Sequence, residues 1–170
     1  MSIFSLRLLG ILVAGIASMT AAVDRGDVDE AARQGVLAGP AVVERAIDSS
    51  VRSTRLAGIA AAPAVEDRAE LLPALARAAG GADRRTAIPA ALAARTIARE
   101  LAARDALPDD LAPADVEAWR AEFERLARDR DRFVEVRVAA LATADALGGF
   151  DAKAFAADPD PDVRAAAASP

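Results

Sequence analysis

Four residue types are missing from this chain of 170 residues: it contains no Cys, His, Tyr or Asn, and it has single copies of Lys, Gln and Trp. The lack of Cys excludes disulfides and a thiol nucleophile, so packing must hold the fold together in any compartment. The lack of both His and Cys excludes a zinc site of the usual kind and an imidazole general base. We therefore expect no cofactor.

Alanine and arginine are abundant, with 47 Ala and 20 Arg. Together with Leu and Glu they dominate the chain, and all four are strong helix formers. Val, Ile and Thr never form the alternating run that a strand requires, and Gly and Pro recur at intervals that separate helices. The sequence therefore predicts an all-α protein. Its net charge of −5 and its few aromatic residues disfavour nucleic-acid binding.

The first 22 residues have the pattern of an export signal. A short segment carrying Arg7 precedes the uncharged apolar run Leu8–Met19, and Thr20–Ala22 supplies small residues before the acidic sequence begins. We expect cleavage after Ala22, which would leave a periplasmic or secreted domain of residues 23–170. Arg7 would be lost with the signal, so the mature chain would carry a net charge of −6 and is not expected to insert stably into a membrane.

An uncleaved membrane anchor is the alternative interpretation of this segment. Its uncharged run, Leu8–Val23, has 16 residues, whereas about 20 are needed to span a bilayer. A buried core helix is less favoured, because the run has no polar face.

The segment Pro113–Arg128 shows the clearest helical pattern. Val116, Trp119, Phe123 and Leu126 are spaced three and four apart, which predicts one apolar stripe on a helix. On the other side, the spacing predicts ion pairs between Arg120 and Glu124 and between Glu124 and Arg128. Pro113 suits the first helical position, and Ala112 before it cannot cap the helix with its side chain.

A repeated pattern runs through the chain: an apolar helix end, a short turn that contains Asp, and then Val-Arg followed by small apolar residues. In the last copy we expect Asp160 to cap a helix that begins at Pro161, with Asp162 in its first turn. Val163 would pack on the preceding helix, and Arg164 would bond a carboxylate of the turn. The copies are Ala46–Arg52, Asp131–Arg137 and Asp158–Arg164, and a fourth helix–turn–helix candidate, Leu71–Leu92, has Thr86-Ala87 where Val-Arg would fall.

At these residues the chain resembles the HEAT-repeat family, and the resemblance covers about residues 31–168. It implies a short α-solenoid of three or four stacked antiparallel helical hairpins, with a concave surface that binds another protein. Thr86-Ala87 departs from the family pattern, as does the wide spacing before Val136. By this resemblance the framework residues are Asp48, Val51, Arg52, Val136, Arg137, Asp160, Asp162, Val163 and Arg164.

Three arginines, Arg84, Arg95 and Arg99, are the candidates for contact with a partner. Arg95 and Arg99 are four residues apart on a predicted helix and would adjoin on one face. They could bind an acidic partner. The alternative, which we favour from the sequence, is a solvated face whose charges are paired with acidic residues of the neighbouring helix, namely Glu66, Asp67 or Glu70.

Acidic clusters are the remaining candidates for chemistry. Asp158, Asp160 and Asp162 lack the Gly and Glu of a calcium loop, and helix capping accounts for them. Glu66-Asp67 and Asp109-Asp110 could in principle serve a carboxylate-based hydrolase, but capping and solvation explain them as well. We therefore predict a non-enzymatic, exported scaffold or adaptor, with an accessory subunit of a larger helical assembly as the alternative.

Overall fold

The computed structural model describes residues 3–103 and 112–168, with side chains from residue 13 onward. Within these residues the chain forms helices and short 3₁₀ turns but no strand, so the all-α prediction is confirmed. The helices are α1 (Ile3–Asp24), α2 (Val28–Ala38), α3 (Pro40–Ile47), α4 (Arg52–Ala61), α5 (Leu72–Ala79), α6 (Arg84–Ala103), α7 (Pro113–Arg128), α8 (Val134–Ala146) and α9 (Pro161–Ala168). The 3₁₀ turns are Ala62–Ala64, Arg68–Leu71 and Ala152–Phe155.

The chain divides into two compact units, Met1–Ala74 and Leu75–Pro170. In unit 1, α4 packs against α1, α2 and α3. The α3–α4 contact is unusually close, because a Cβ added at Gly58 would lie 2.7 Å from the backbone nitrogen of Ile47 and 2.9 Å from the Cβ of Ala46. Only a glycine at this position lets the two helices approach so closely.

Helix α1 covers residues 3–22 of the predicted export signal and continues past the predicted cleavage point at Ala22. Met19 and Ala22 are fully buried, where α1 packs against α2 and α4. The helix ends at Asp24, and the φ of 76° at Gly26 and the bond from its N–H to the Val23 carbonyl (2.8 Å) are typical of a C-terminal cap. Cleavage itself stays a prediction. Among residues with described side chains, which exclude 1–12, no helix is long and apolar enough to cross a bilayer.

Helix α8 lies at the centre of unit 2, where it packs against α6, α7 and α9. A helix with neighbours on several sides must be apolar around most of its circumference, and the sequence of α8 meets this demand with small and apolar residues. Its buried residues are Val136, Arg137, Ala139, Ala140, Leu141, Thr143 and Ala144.

The bounds of α7 agree with the prediction, and Val116, Phe123 and Leu126 of its apolar stripe are buried. Trp119 is only half-buried. The ion pair between Arg128 and Glu124 forms at 2.6 Å, but the predicted pair between Arg120 and Glu124 does not. Arg120 instead pairs with Glu117 and donates to the carbonyl of Gly149, because the loop after α8 offers a second acceptor on that side.

Candidate binding site

The start of α9 confirms most of the predicted turn chemistry. The Asp160 carboxylate accepts from the backbone N–H groups of Asp162 (2.8 Å) and Val163 (3.4 Å), which is helix capping. Val163 is fully buried, and Asp162 is exposed in the first turn. The prediction that Arg164 bonds a carboxylate of the turn is wrong. This arginine donates to the backbone carbonyls of Asp158 (2.6 Å) and Pro159 (3.0 Å), which lie nearer than any carboxylate of the turn.

The start of α8 holds a buried ion pair. Val136 is fully buried, and the next residue, Arg137, donates from Nε to the Ala127 carbonyl (2.8 Å) and from both terminal nitrogens to Asp158. The side chains of Arg137 and Asp158 are 4% and 7% exposed. The hydrogen bonds from Arg137 hold the pKa of the Asp158 carboxyl below its ordinary value of 3.8, although burial acts in the opposite direction. The Asp158 carboxyl is therefore ionised at neutral pH.

The first copy of the pattern is shifted by three residues relative to the prediction. Val51 is 55% exposed and only precedes α4, so it does not pack as a framework residue. Thr54 is buried instead, and Arg55 donates to the Ser49 carbonyl from Nε (2.9 Å) and Nη2 (2.6 Å). Arg52 and Asp48 lie exposed, at the start of α4 and the end of α3. The prediction that Val51 packs against the preceding helix is therefore wrong, whereas the framework role of Arg52 stays a prediction.

The position within the helix explains this shift. In an α-helix, side chains near the N-terminus face the core at positions set by where the helix begins. Helices α4, α6, α8 and α9 all bury their third residue, and α4, α8 and α9 carry arginine at the fourth. The third residues are Thr54, Thr86, Val136 and Val163.

The three candidate partner-binding arginines have different surroundings. Arg84 forms an ion pair with Glu135 of α8, and its guanidinium lies 5.8 Å from the ring centroid of Phe133. The charge of Arg84 is therefore paired within unit 2. Arg95 is half-buried and Arg99 exposed, and neither has an ion-pair or hydrogen-bond partner among the residues that the structure describes. Glu66, Asp67 and Glu70, the alternative partners from the sequence, belong to unit 1.

Arg95 and Arg99 line a cleft of about 370 Å³ within unit 2. One wall is the face of α6 that carries these arginines, and the other is a face of α8 with the helical spacing of three and four. Aliphatic and aromatic side chains form most of the surface between them. The lining residues are Arg95, Arg99 and Ala102 of α6, Val138, Leu141, Ala142, Asp145 and Ala146 of α8, Phe150, and Ala166 of α9.

Phe150, which lines the cleft, is held by an aromatic contact, and the glycine before it accepts a hydrogen bond. Its ring packs edge-to-face on Phe155 at a centroid distance of 5.7 Å, and Phe155 is buried beneath the guanidinium of Arg128 at 5.6 Å. Gly149, with a φ of 92°, turns the chain just before Phe150, and its carbonyl accepts from Arg120 (3.4 Å). The part of the cleft that Phe150 lines is therefore formed before any partner arrives.

The charges of the cleft are two arginines and one aspartate. Asp145 is half-buried, and within the described part of the chain no ion pair joins it to Arg95 or Arg99. The cleft thus carries a local excess of positive charge in a protein whose net charge is −5. Sequence reasoning found the two arginines but missed Val138, Leu141, Phe150 and Asp145, because their spacing alone is equally typical of core residues.

The acidic pairs do not form a pocket in the described residues. Glu66 and Asp67 are exposed beside the 3₁₀ turn Arg68–Leu71. Asp109 and Asp110 lie outside the described residues. The capping interpretation of Asp158, Asp160 and Asp162 agrees with the bonds that Asp160 accepts and with the pairing of Asp158.

No protein-family model matches the chain, and neither the curated proteins nor the solved structures give a significant match. The HEAT-repeat resemblance therefore stays a prediction from the sequence.

Proposed function

We propose that the protein is an exported, non-enzymatic scaffold or adaptor with an α-solenoid type of fold, and that it binds another protein through the cleft of unit 2. The observation that carries the proposal is the pair Arg95 and Arg99. Their guanidinium groups line an apolar cleft and have no acidic partner among the described residues. A partner that supplies carboxylates would complete charge-assisted hydrogen bonds there.

The residues that line the cleft favour binding over catalysis. Its ionisable groups are two arginines and Asp145. Acid–base hydrolysis by carboxylates requires two of them, with different pKa values, to converge on one bond. Arginine stays protonated at neutral pH and can orient an anion without acting as a base. The lining set therefore suits the recognition of a negatively charged segment.

Export is proposed from the sequence of residues 1–22. The test is the intact mass of the protein purified from the exported fraction of a bacterial host. A chain that begins at Val23 supports the proposal. An exported chain that retains residue 1 would contradict cleavage, and a chain found only in the cytosol would contradict export.

Capture from the exported fraction of the native host tests the binding site. We expect Arg95→Glu/Arg99→Glu to lose a protein that the wild-type chain retains. The matched control is Arg45→Glu/Arg85→Glu, which makes the same change in net charge at two exposed arginines that line no part of the cleft. Their side chains have no hydrogen-bond or ion-pair partner among the described residues. Equal loss by both double variants would contradict binding at the cleft, since net charge alone would then explain the result.

A second candidate function is that of an accessory subunit that completes a larger helical assembly. Helix α2 favours it, because Val28, Val36 and Leu37 are 55%, 50% and 81% exposed. Exposed apolar side chains grouped on one helix are a feature of interaction surfaces. Light scattering of the purified protein tests this function: self-association that Leu37→Glu abolishes supports it, whereas a monomer unchanged by the substitution argues for the adaptor.

A further inference from the structure

We infer that the partner presents an acidic amphipathic helix to the cleft, with two carboxylates one helical turn apart and an apolar side chain on the same face. This inference rests on the proposed function and specifies its ligand. It is carried by three features of the cleft: the spacing of Arg95 and Arg99, the apolar surface between α6 and α8, and the position of Asp145.

The two arginines set the spacing of the carboxylates. Residues four apart on a helix have Cβ atoms about 6 Å from each other. Two acidic side chains at positions i and i+4 of a partner helix have the same separation, so each carboxylate can meet one guanidinium. Acidic residues at i and i+2 point to opposite sides of a helix and can present only one carboxylate to the cleft.

The apolar lining of the cleft favours a ligand with an apolar side chain beside its two carboxylates. Val138 of α8 and the ring of Phe150, both half-buried, give the cleft an apolar surface, and its volume of about 370 Å³ accommodates a large side chain. Because apolar surface gains free energy when it leaves water, a leucine on the same face of the partner helix adds affinity that carboxylates alone lack. The ligand is therefore amphipathic as well as acidic.

Asp145 limits how much negative charge the cleft accepts. Its carboxylate lines the same cleft as the arginines, so it repels any acidic group that takes the place of the apolar side chain. A helix with two carboxylates is favoured over an unpatterned polyanion for this reason. Removing the charge of Asp145 should therefore strengthen the binding of acidic peptides and weaken the discrimination between them.

The test is fluorescence anisotropy of labelled peptides with the full-length protein. The probe is an alanine-rich helical peptide of about 16 residues with Glu at i and i+4 and Leu at i+7. We expect it to bind at least about tenfold more tightly than three controls, each with one change: Gln at both Glu positions, the second Glu moved to i+2, or Ala in place of Leu.

Three protein variants locate the binding on the cleft. We expect Arg95→Glu/Arg99→Glu to abolish binding of the peptide, and Arg45→Glu/Arg85→Glu to leave its affinity within about twofold of the wild type. Asp145→Asn should raise the affinity about threefold and reduce the preference for the i+4 peptide over the i+2 peptide. Circular dichroism and thermal melting confirm that each variant is folded. All four arginines are half-buried or exposed, so the substitutions leave the core intact.

The inference is overturned if the peptide fails to bind, if the i+2 or Gln peptide binds equally well, or if binding persists in Arg95→Glu/Arg99→Glu. Its failure can be distinguished from failure of the proposed function. If the captured protein still depends on Arg95 and Arg99 while the helical peptide does not bind, the binding function stands and the acidic helix is excluded. If capture does not depend on these arginines, the site itself is excluded.

Discussion

The buried pair of Arg137 and Asp158 makes the most specific prediction about stability. Asp158→Ala would leave the Arg137 guanidinium, whose side chain is 4% exposed, with the Ala127 carbonyl as its remaining acceptor. Removing one partner of a buried ion pair costs about 3–5 kcal/mol, because the other charge stays buried without compensation. The lost carboxylate also accepts from the N–H of Asp160 (3.0 Å), so the turn before α9 loses a bond as well. We expect the free energy of unfolding to fall by at least about 3 kcal/mol.

Urea unfolding followed by tryptophan fluorescence measures this loss. Trp119, the single tryptophan of the chain, lies in α7 and therefore reports on unit 2. The matched control is Asp162→Ala, because Asp162 is an exposed aspartate in the first turn of α9. It should cost no more than about 1 kcal/mol, the value of a charge near a helix terminus. A loss below about 1 kcal/mol for Asp158→Ala, or equal losses for both variants, would refute the reasoning.

The same pair predicts a dependence on pH. The hydrogen bonds from Arg137 lower the pKa of Asp158 in the folded state. A carboxyl with a lowered pKa stabilises the fold fully above its unfolded pKa, and this stability is lost as the pH falls through the folded pKa. The stability difference between the wild type and Asp158→Asn should therefore be constant from about pH 7 to pH 5 and shrink below about pH 4. A constant difference down to about pH 2 would contradict an ionised Asp158.

Two further predictions concern packing. In urea unfolding, Gly58→Ala should destabilise unit 1 by about 1–3 kcal/mol, because the new Cβ would meet the backbone of Ile47. The control is Gly80→Ala, whose Cβ would lie 3.4 Å from a leucine side chain. It should change the free energy of unfolding by no more than about 1 kcal/mol. Equal costs would refute the close α3–α4 contact. Phe155→Ala should lower the free energy of unfolding by about 3–5 kcal/mol. It should also weaken the binding of the acidic peptide, because Phe150 loses the ring that holds it. Unchanged binding would show that Phe150 needs no such support.

The sequence predicts the helices better than it predicts their register. Proline and aspartate define the beginnings of α7 and α9 unambiguously, since Pro113 and Pro161 suit the first helical position and Asp160 caps. The start of α4 has no such signal. Arginine occurs at both 52 and 55, and a valine precedes the first of them, so the motif Val51-Arg52 looks complete. The helix nevertheless begins three residues too late for Val51 to be its buried third residue.

The cleft was predictable only in part. The i and i+4 spacing of Arg95 and Arg99 indicates a shared helix face, and the structure places both in one cleft. Which helix faces them is a long-range property, since α6 and α8 meet across thirty residues of intervening chain. For the same reason the sequence does not predict that Arg84 forms an ion pair while Arg95 lines the cleft. The acceptor of Arg84, Glu135, is 51 residues away along the chain.

The arginines at the fourth position of α4 and α9 bond to main-chain oxygens six residues earlier, at Ser49 and Asp158. A carbonyl oxygen is present at every residue, so the bond survives almost any change of side chain in the intervening loop, but it depends on how many residues the loop contains. These connections should therefore accept substitutions freely and resist insertions and deletions. During evolution or redesign, the length of such a loop is the quantity under constraint, and its composition is open to variation.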